Sequence, residues 1–142
     1  NAFIGHKNDF MIQDCIMVSK KLGINFYFND KFPINSLYLM RGTLVLEENL
    51  LEKYIDIFFE SYWQLNLDLS DRKIFEKKLN EIGVDIDKFF KDIENQAIKD
   101  KLKEITNEAF TKKIFGAPSF IYKDKVYWGQ DRLDYVIDDI SK

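Results

Sequence analysis

The sequence has 142 residues, which is long enough for one folded domain with a sizeable core. Hydrophobic residues make up 46% and aromatic residues 15%, a composition that excludes an intrinsically disordered chain even though 32% of the residues are charged. The net charge of -3 comes from interspersed acids and bases without a basic block, so we expect no nucleic-acid partner.

Helical periodicity dominates the chain up to about residue 113. Gly23 and Gly83 stand where C-terminal caps belong, Ser36 is expected to cap the second helix, and Ser70 or Asp71 the fourth. The most apolar helix is the third, so we expect it to be central. The predicted helices are about Asn8–Leu22, Leu37–Leu46, Leu50–Leu65, Arg72–Ile82, a short one after Asp85, and about Asn95–Lys113, with an ordered loop over Ile24–Ser36.

The apolar period changes after Gly116. Ser119–Tyr122 and Val126–Trp128 are short runs of β type on either side of a polar turn, which predicts a β-hairpin. Gly129-Gln130-Asp131-Arg132 then opens a final helix that ends near Lys142.

The chain contains one cysteine, Cys15, and one histidine, His6. These two residues cannot build a zinc site, and the printed sequence has no Cys-x-x-Cys pair, so we expect no bound metal. Apolar runs stay shorter than the roughly 20 residues of a membrane span, and the start does not resemble a signal peptide, so we expect a cytoplasmic protein without membrane contact. Because the sequence opens at Asn1, inside what reads as a loop, we expect the natural protein to continue upstream.

Two segments near the end of the chain carry a family resemblance. Ile114-Phe115-Gly116-Ala117-Pro118-Ser119-Phe120 and Tyr127-Trp128-Gly129-Gln130-Asp131-Arg132-Leu133 resemble the closing signature of kappa-class glutathione transferases and 2-hydroxychromene-2-carboxylate isomerases. The likeness extends upstream through Phe32-Pro33-Ile34-Asn35-Ser36-Leu37 with Met40-Arg41, and through Lys7 with Phe10-Met11 and Asp14.

This resemblance implies an α/β protein with a thioredoxin-like fold that carries a large helical insertion. Residues 1–112 would be mainly the insertion and residues 113–142 the closing hairpin and helix, together forming a single compact unit. The family's first strand, helix and second strand are not in the printed chain. The catalytic serine of the family would therefore lie upstream of Asn1, and the family resemblance also suggests a homodimer.

The resemblance further implies that glutathione binds beside Ala117 and Pro118. In the thioredoxin-like pattern the Ala117–Pro118 bond is cis, and the free N–H and C=O of Ala117 pair with the cysteinyl backbone of the tripeptide as an added strand. From the residues alone, an ordinary trans proline at the entrance of a strand fits equally well.

The turn at Gly129 would hold the γ-glutamyl end of glutathione. The resemblance assigns Asp131 and Arg132 to this end, and the exposed N–H of Gln130 adds a donor for the glutamyl carboxylate. Seen alone, Asp131 would be an N-cap and Arg132 a solvated side chain.

Three further groups complete the expected site. Lys7 matches a family lysine near the glycyl carboxylate of glutathione. Asn35 and Arg41 are weaker candidates for contact with an acidic aromatic substrate, although surface arginines are commonly solvated. Trp128 is a candidate wall of the acceptor site, and as a hairpin aromatic it would fit a core position as well.

The implied function is that of a glutathione-dependent isomerase or transferase acting on small aromatic or unsaturated substrates. An alternative is a thiol-disulfide oxidoreductase of the DsbA-like type, with Cys-x-x-Cys upstream in place of the serine. A second alternative is a non-catalytic helical interaction module.

Overall fold

A computed structural model of the protein describes residues 5–142, and the loop predicted at the start of the chain lies in part outside them. The chain divides into two compact units, of which the first ends at Ile98 and the second is Lys99–Lys142. The roles of residues 1–112 and 113–142 as insertion and closing part of a single compact unit stay predictions.

All six helices that the sequence predicts before residue 114 are present. They are α1 (His6–Leu22), α2 (Leu37–Gly42), α3 (Glu48–Trp63), α4 (Arg72–Glu81), α5 (Ile86–Ile93) and α6 (Gln96–Thr111), and the boundary between the units falls within α6.

Short polar residues and glycine set the ends of these helices. Gly23 adopts the left-handed conformation that caps α1, while the carboxylates of Asp71 and Asp85 accept backbone N–H bonds at the starts of α4 and α5. The Ser36 side chain does not cap α2, so this prediction is wrong. The amide oxygen of Asn35 accepts the Leu37 N–H at 3.0 Å instead.

Helix α2 ends at Gly42, four residues before the predicted end. Leu44 and Val45 donate their N–H groups to the carbonyls three residues back, those of Arg41 and Gly42, so a turn replaces the last helical residues.

The core of the first unit is aromatic and centres on α3, as the sequence predicts. Tyr54, Phe58 and Tyr62 lie on the buried face of α3, one turn apart. They pack with residues from α4, α5 and the connecting loops, namely Leu69, Phe75, Leu79, Val84, Phe89 and Ile93.

A buried asparagine holds the loop between α1 and α2 against α3. The Asn29 amide donates to the carbonyls of Tyr62, at 2.8 Å, and Leu67, at 3.0 Å, and its oxygen accepts the Lys31 N–H at 2.8 Å. Since each polar atom of the side chain is bonded, burial of Asn29 is compatible with a stable core.

The second unit contains the predicted hairpin. Strands β1 (Ser119–Tyr122) and β2 (Lys125–Trp128) pair antiparallel, with Ser119 opposite Trp128 and Tyr122 opposite Lys125. Lys123 and Asp124 both have positive φ, which is the conformation of a two-residue hairpin turn.

The expected final helix begins with a tighter turn. Gln130–Arg132 form a 3-10 turn, and the regular helix α7 (Leu133–Ile140) follows, with Val136 as its buried residue. In residues 5–142 no helix is long and apolar enough to cross a membrane.

Candidate functional site

The peptide between Gly116 and Pro118 is exposed and unpaired. The Ala117–Pro118 bond is cis, as predicted from the motif, and both residues are exposed. Within the described chain, neither the N–H nor the C=O of Ala117 has a backbone hydrogen bond, whereas the Pro118 carbonyl accepts one from Gly129. Ala117 therefore presents one donor and one acceptor to an extended ligand.

Gly129 joins the end of the hairpin to the polar turn that follows. Its N–H donates to the Pro118 carbonyl at 3.0 Å, and its carbonyl accepts the Arg132 N–H at 3.1 Å. The φ of Gly129 is +108°, and a β-carbon at this position would overlap the Asp131 carboxylate. A glycine is thus required for this turn to form beside Pro118.

Asp131 and Arg132 form an exposed ion pair within the turn. Nη1 of Arg132 lies 3.1 Å from Oδ2 of Asp131, and more than half of each side chain is exposed. The guanidinium also lies 5.6 Å from the ring centre of Tyr135. Gln130 and Asp131 lie at the start of the turn. At this position the backbone N–H groups are not bonded to carbonyl groups of the turn itself.

The structure brings five of the predicted glutathione-binding residues to one end of the hairpin. Ala117 and Pro118 enter β1, Trp128 ends β2 opposite Ser119, and the Gly129 bond to Pro118 places Gln130–Arg132 next to them.

An aromatic pair flanks the Ala117 peptide. The rings of Phe115 and Trp128 are 5.1 Å apart, and the side chains are 74% and 53% exposed. A β-carbon on Gly116 would lie 2.5 Å from Nε1 of Trp128, so only glycine allows the indole to pack this closely. Trp128 is therefore a surface residue of this unit, and the sequence did not single out Phe115.

Asp139 fixes the hairpin to α7, and sequence reasoning did not identify it. Its carboxylate accepts hydrogen bonds from the Lys125 ammonium, at 2.7 Å, the Tyr127 hydroxyl and the Lys142 ammonium. These donors hold the pKa of Asp139 well below its usual value. The cluster positions β2, the strand that leads into the turn at Gly129.

The other predicted site residues lie in the first unit. Lys7 is exposed in the first turn of α1, and the Asn35 amide caps α2. The Arg41 side chain is only 15% exposed; Nη1 lies 3.5 Å from Oε1 of Glu94, and the guanidinium faces the Tyr38 ring at 5.9 Å. Arg41 is thus engaged by its own unit rather than freely solvated.

The single cysteine, Cys15, is a half-buried thiol. Burial and the neighbouring Asp14 carboxylate raise the pKa of Cys15, which disfavours the reactive thiolate. In residues 5–142 no three His, Cys, Asp or Glu side chains are grouped to hold a metal ion.

Sequence comparison relates nearly the whole chain to a known domain family. Residues 2–141 match the DSBA-like thioredoxin domain family.

Two relatives are each called 2-hydroxychromene-2-carboxylate isomerase. The protein from Sphingobium xenophagum is 24% identical over 85 residues, which are 60% of this chain and 44% of the relative. The protein from Pseudomonas putida is 25% identical over 80 residues, 56% of this chain and 39% of the relative. The aligned part is thus less than half of each relative.

Structural comparison gives the same fold. The solved structure of a 2-hydroxychromene-2-carboxylate isomerase superimposes with a TM-score of 0.81 at 20% sequence identity. The match covers 95% of this chain and 66% of that chain. The mostly helical architecture with one small hairpin is therefore that of a DsbA-like thioredoxin fold, as the sequence predicts.

Proposed function

The chain belongs to the DSBA-like thioredoxin domain family, and from that premise we propose that it is the glutathione-binding part of a glutathione-dependent isomerase or transferase. The observation that carries the proposal is the hydrogen bond from Gly129 to Pro118. It brings an unpaired, exposed peptide at Ala117 next to the Asp131–Arg132 ion pair, and glutathione has groups that suit both.

The cysteinyl part of glutathione suits the Ala117 peptide. An extended tripeptide that runs past this position accepts a bond from the Ala117 N–H and donates one to its C=O, as an added strand does. Ala117 and Pro118 are both exposed, so no residue of their own unit blocks the ligand from reaching this peptide.

The γ-glutamyl end suits the turn that follows β2. This end carries an ammonium and a carboxylate on one carbon, and the adjacent Asp131 and Arg132 offer the opposite charges 3.1 Å apart. The N–H groups of Gln130 and Asp131 supply further donors for the carboxylate. The role of Lys7 at the glycyl carboxylate stays a prediction.

The proposed reaction begins with the glutathione thiol. The thiolate is the nucleophile, and the catalytic serine that the family resemblance implies would donate to the sulfur and lower the pKa of the thiol. The thiolate forms a carbon–sulfur bond to the double bond of an unsaturated aromatic acid, and a proton is taken up on the neighbouring carbon. In isomerisation the single bond that results rotates, and the proton and the thiolate then leave. In transfer the carbon–sulfur bond remains.

The substrate contacts follow from the same proposal. Trp128 offers an exposed indole face next to Ala117 for an aromatic ring. The roles of Asn35 and Arg41 as substrate contacts stay predictions. The names of the relatives, 2-hydroxychromene-2-carboxylate isomerases, support this substrate class. We also propose a cytoplasmic homodimer.

Calorimetric titration with glutathione tests the assignment of the turn. Asp131→Asn removes the charge that faces the glutamyl ammonium, and we expect the Kd to rise about tenfold or more. Asp134→Asn is the matched control, because Asp134 is an exposed carboxylate in the first turn of α7. Unchanged affinity in Asp131→Asn, or equal losses in both variants, would contradict the proposal.

The two alternatives give different results. A thiol-disulfide oxidoreductase would reduce an insulin disulfide in a dithiol assay, and Asp131→Asn would leave that rate unchanged. A non-catalytic interaction module would show no heat of binding with glutathione in any variant.

A further inference from the structure

The turn after β2 lies between two elements that are also joined to each other by side chains. The turn, Gln130–Arg132, follows β2 and runs directly into α7. Near the end of α7, the carboxylate of Asp139 accepts hydrogen bonds from two residues of β2, the Tyr127 hydroxyl and the Lys125 ammonium. Residues 127–139 therefore form a loop that these side-chain bonds close, and the turn belongs to this loop.

The turn has little of its own to hold it in place. In residues 5–142 the side chains of Gln130, Asp131 and Arg132 make no hydrogen bond or ion pair to the hairpin or to α7. Asp131 and Arg132 pair only with each other, and both are more than half exposed. The backbone bond from Gly129 to Pro118 fixes the strand side of the turn. The positions of β2 and α7 therefore determine where the turn lies.

The hydroxyl of Tyr127 is the most rigidly held donor to Asp139. The Lys125 and Lys142 side chains are 66% and 76% exposed and have many rotamers, whereas Tyr127 is half-buried and reaches Asp139 through a rigid ring. Asp139 is 23% exposed, and its charge strengthens the hydrogen bonds that it accepts. The bond from Tyr127 to Asp139 thus fixes the distance between β2 and α7 at this point.

We propose that Asp139 and Tyr127 are positioning residues for the γ-glutamyl site, and that their hydrogen bond sets the spacing between the Ala117 peptide and the Asp131–Arg132 pair. This inference rests on the proposed glutathione function. The cysteinyl and γ-glutamyl parts of glutathione are covalently joined, so both bind at once only if their two sites keep a matching separation. A ligand without the γ-glutamyl group does not depend on that separation.

Two ligands and two variants test this proposal. The Kd values of S-methylglutathione and of cysteinylglycine, which lacks the γ-glutamyl group, are measured from the shift of the Ala117 amide in proton–nitrogen correlation spectra. Tyr127→Phe removes the hydroxyl and keeps the ring, and we expect it to raise the Kd of S-methylglutathione about fivefold and to leave that of cysteinylglycine unchanged. Asp139→Ala should act in the same way, and the double variant should add little, because both changes break one link.

The ratio of the two Kd values separates positioning from a general loss of stability. A smaller folded fraction would weaken both ligands by the same factor and leave the ratio unchanged. Two control variants should also leave it unchanged. Tyr122→Phe removes a hydroxyl of β1 that has no hydrogen bond in the described chain, and Asp138→Ala removes an exposed carboxylate of α7.

Each failure has its own signature. If S-methylglutathione does not shift the Ala117 amide of the unmodified protein, the proposed function is wrong and this inference falls with it. If S-methylglutathione binds but Tyr127→Phe and Asp139→Ala keep the native ratio of Kd values, the positioning role alone is overturned. An equal change of the ratio in Tyr122→Phe or Asp138→Ala would overturn it as well.

Discussion

Replacement of Gly42 by alanine separates the contribution of packing from that of helix propensity. Gly42 is the last residue of α2, it is buried, and its φ is not positive, so alanine would be tolerated by the backbone. By helix propensity alone, the change would stabilise the protein by up to about 1 kcal/mol. The surroundings of Gly42 lead to the opposite expectation.

The added methyl group has no room. A β-carbon at Gly42 would overlap the Tyr54 hydroxyl and lie 2.6 Å from Cζ of Tyr54 and 2.9 Å from Cζ of Phe89. Both rings are 2% exposed, so neither has free space into which to move. Overpacking costs about 1–3 kcal/mol, and displacement of the Tyr54 hydroxyl from the Leu39 carbonyl costs about 1–3 kcal/mol more. After the propensity gain, we expect a net loss of about 3 kcal/mol.

Urea denaturation of a double-mutant cycle measures this loss. Tyr54→Phe alone should cost about 1 kcal/mol, because it removes a buried hydrogen bond. In the double variant the overlap with the hydroxyl is gone, so Gly42→Ala should cost less there than in the native background. A stabilised Gly42→Ala protein, or strictly additive effects, would refute the packing argument.

Two further changes probe the polar anchors of the units. Asp139→Asn should lower the thermal midpoint at pH 7 and lower it by less at pH 2, because a folded pKa well below the ordinary 3.8 gives stability that is complete above that value and is lost as the pH falls through the folded pKa; equal losses at both pH values would contradict the role of the charge. Asn29→Ala should cost about 1–3 kcal/mol in urea denaturation, since it leaves the carbonyls of Tyr62 and Leu67 unpaired; a loss no larger than that of Asn80→Ala, at an exposed position of α4, would contradict this.

Local signals were sufficient to locate the helices. Gly23, Asp71 and Asp85 act at short range on the N–H and carbonyl groups nearest to them, so their roles follow from the sequence. The apolar period of α3 likewise predicts a central helix, and its buried face consists of Tyr54, Phe58, Ser61 and Tyr62.

Features that depend on distant residues were not predictable in the same way. The close packing of Gly42 against Tyr54 and Phe89 joins α2 to residues that come later in the chain. The bonds that hold Asn29 join it to carbonyls more than 30 residues away. No local pattern contains this information, since such contacts exist only once the core is packed.

In the candidate site, too, features set by neighbouring residues were predictable and contacts between distant residues were not. The motif around Pro118 predicts the cis bond and the turn at Gly129. It does not predict that Asp139 bonds to Lys125, nor that Arg41 faces Glu94, because each pair combines two separate elements. The roles of the glutathione-binding residues themselves stay predictions.

Amide spectroscopy with S-methylglutathione tests the glutathione proposal most directly. In proton–nitrogen correlation spectra of the assigned protein, we expect the amides of Ala117, Gln130 and Asp131 to shift together and to saturate at one Kd. Cysteinylglycine lacks the γ-glutamyl group, and it should shift Ala117 alone. If S-methylglutathione leaves these three amides unchanged at saturating concentration, the chain does not bind glutathione at this turn and the proposed function is wrong.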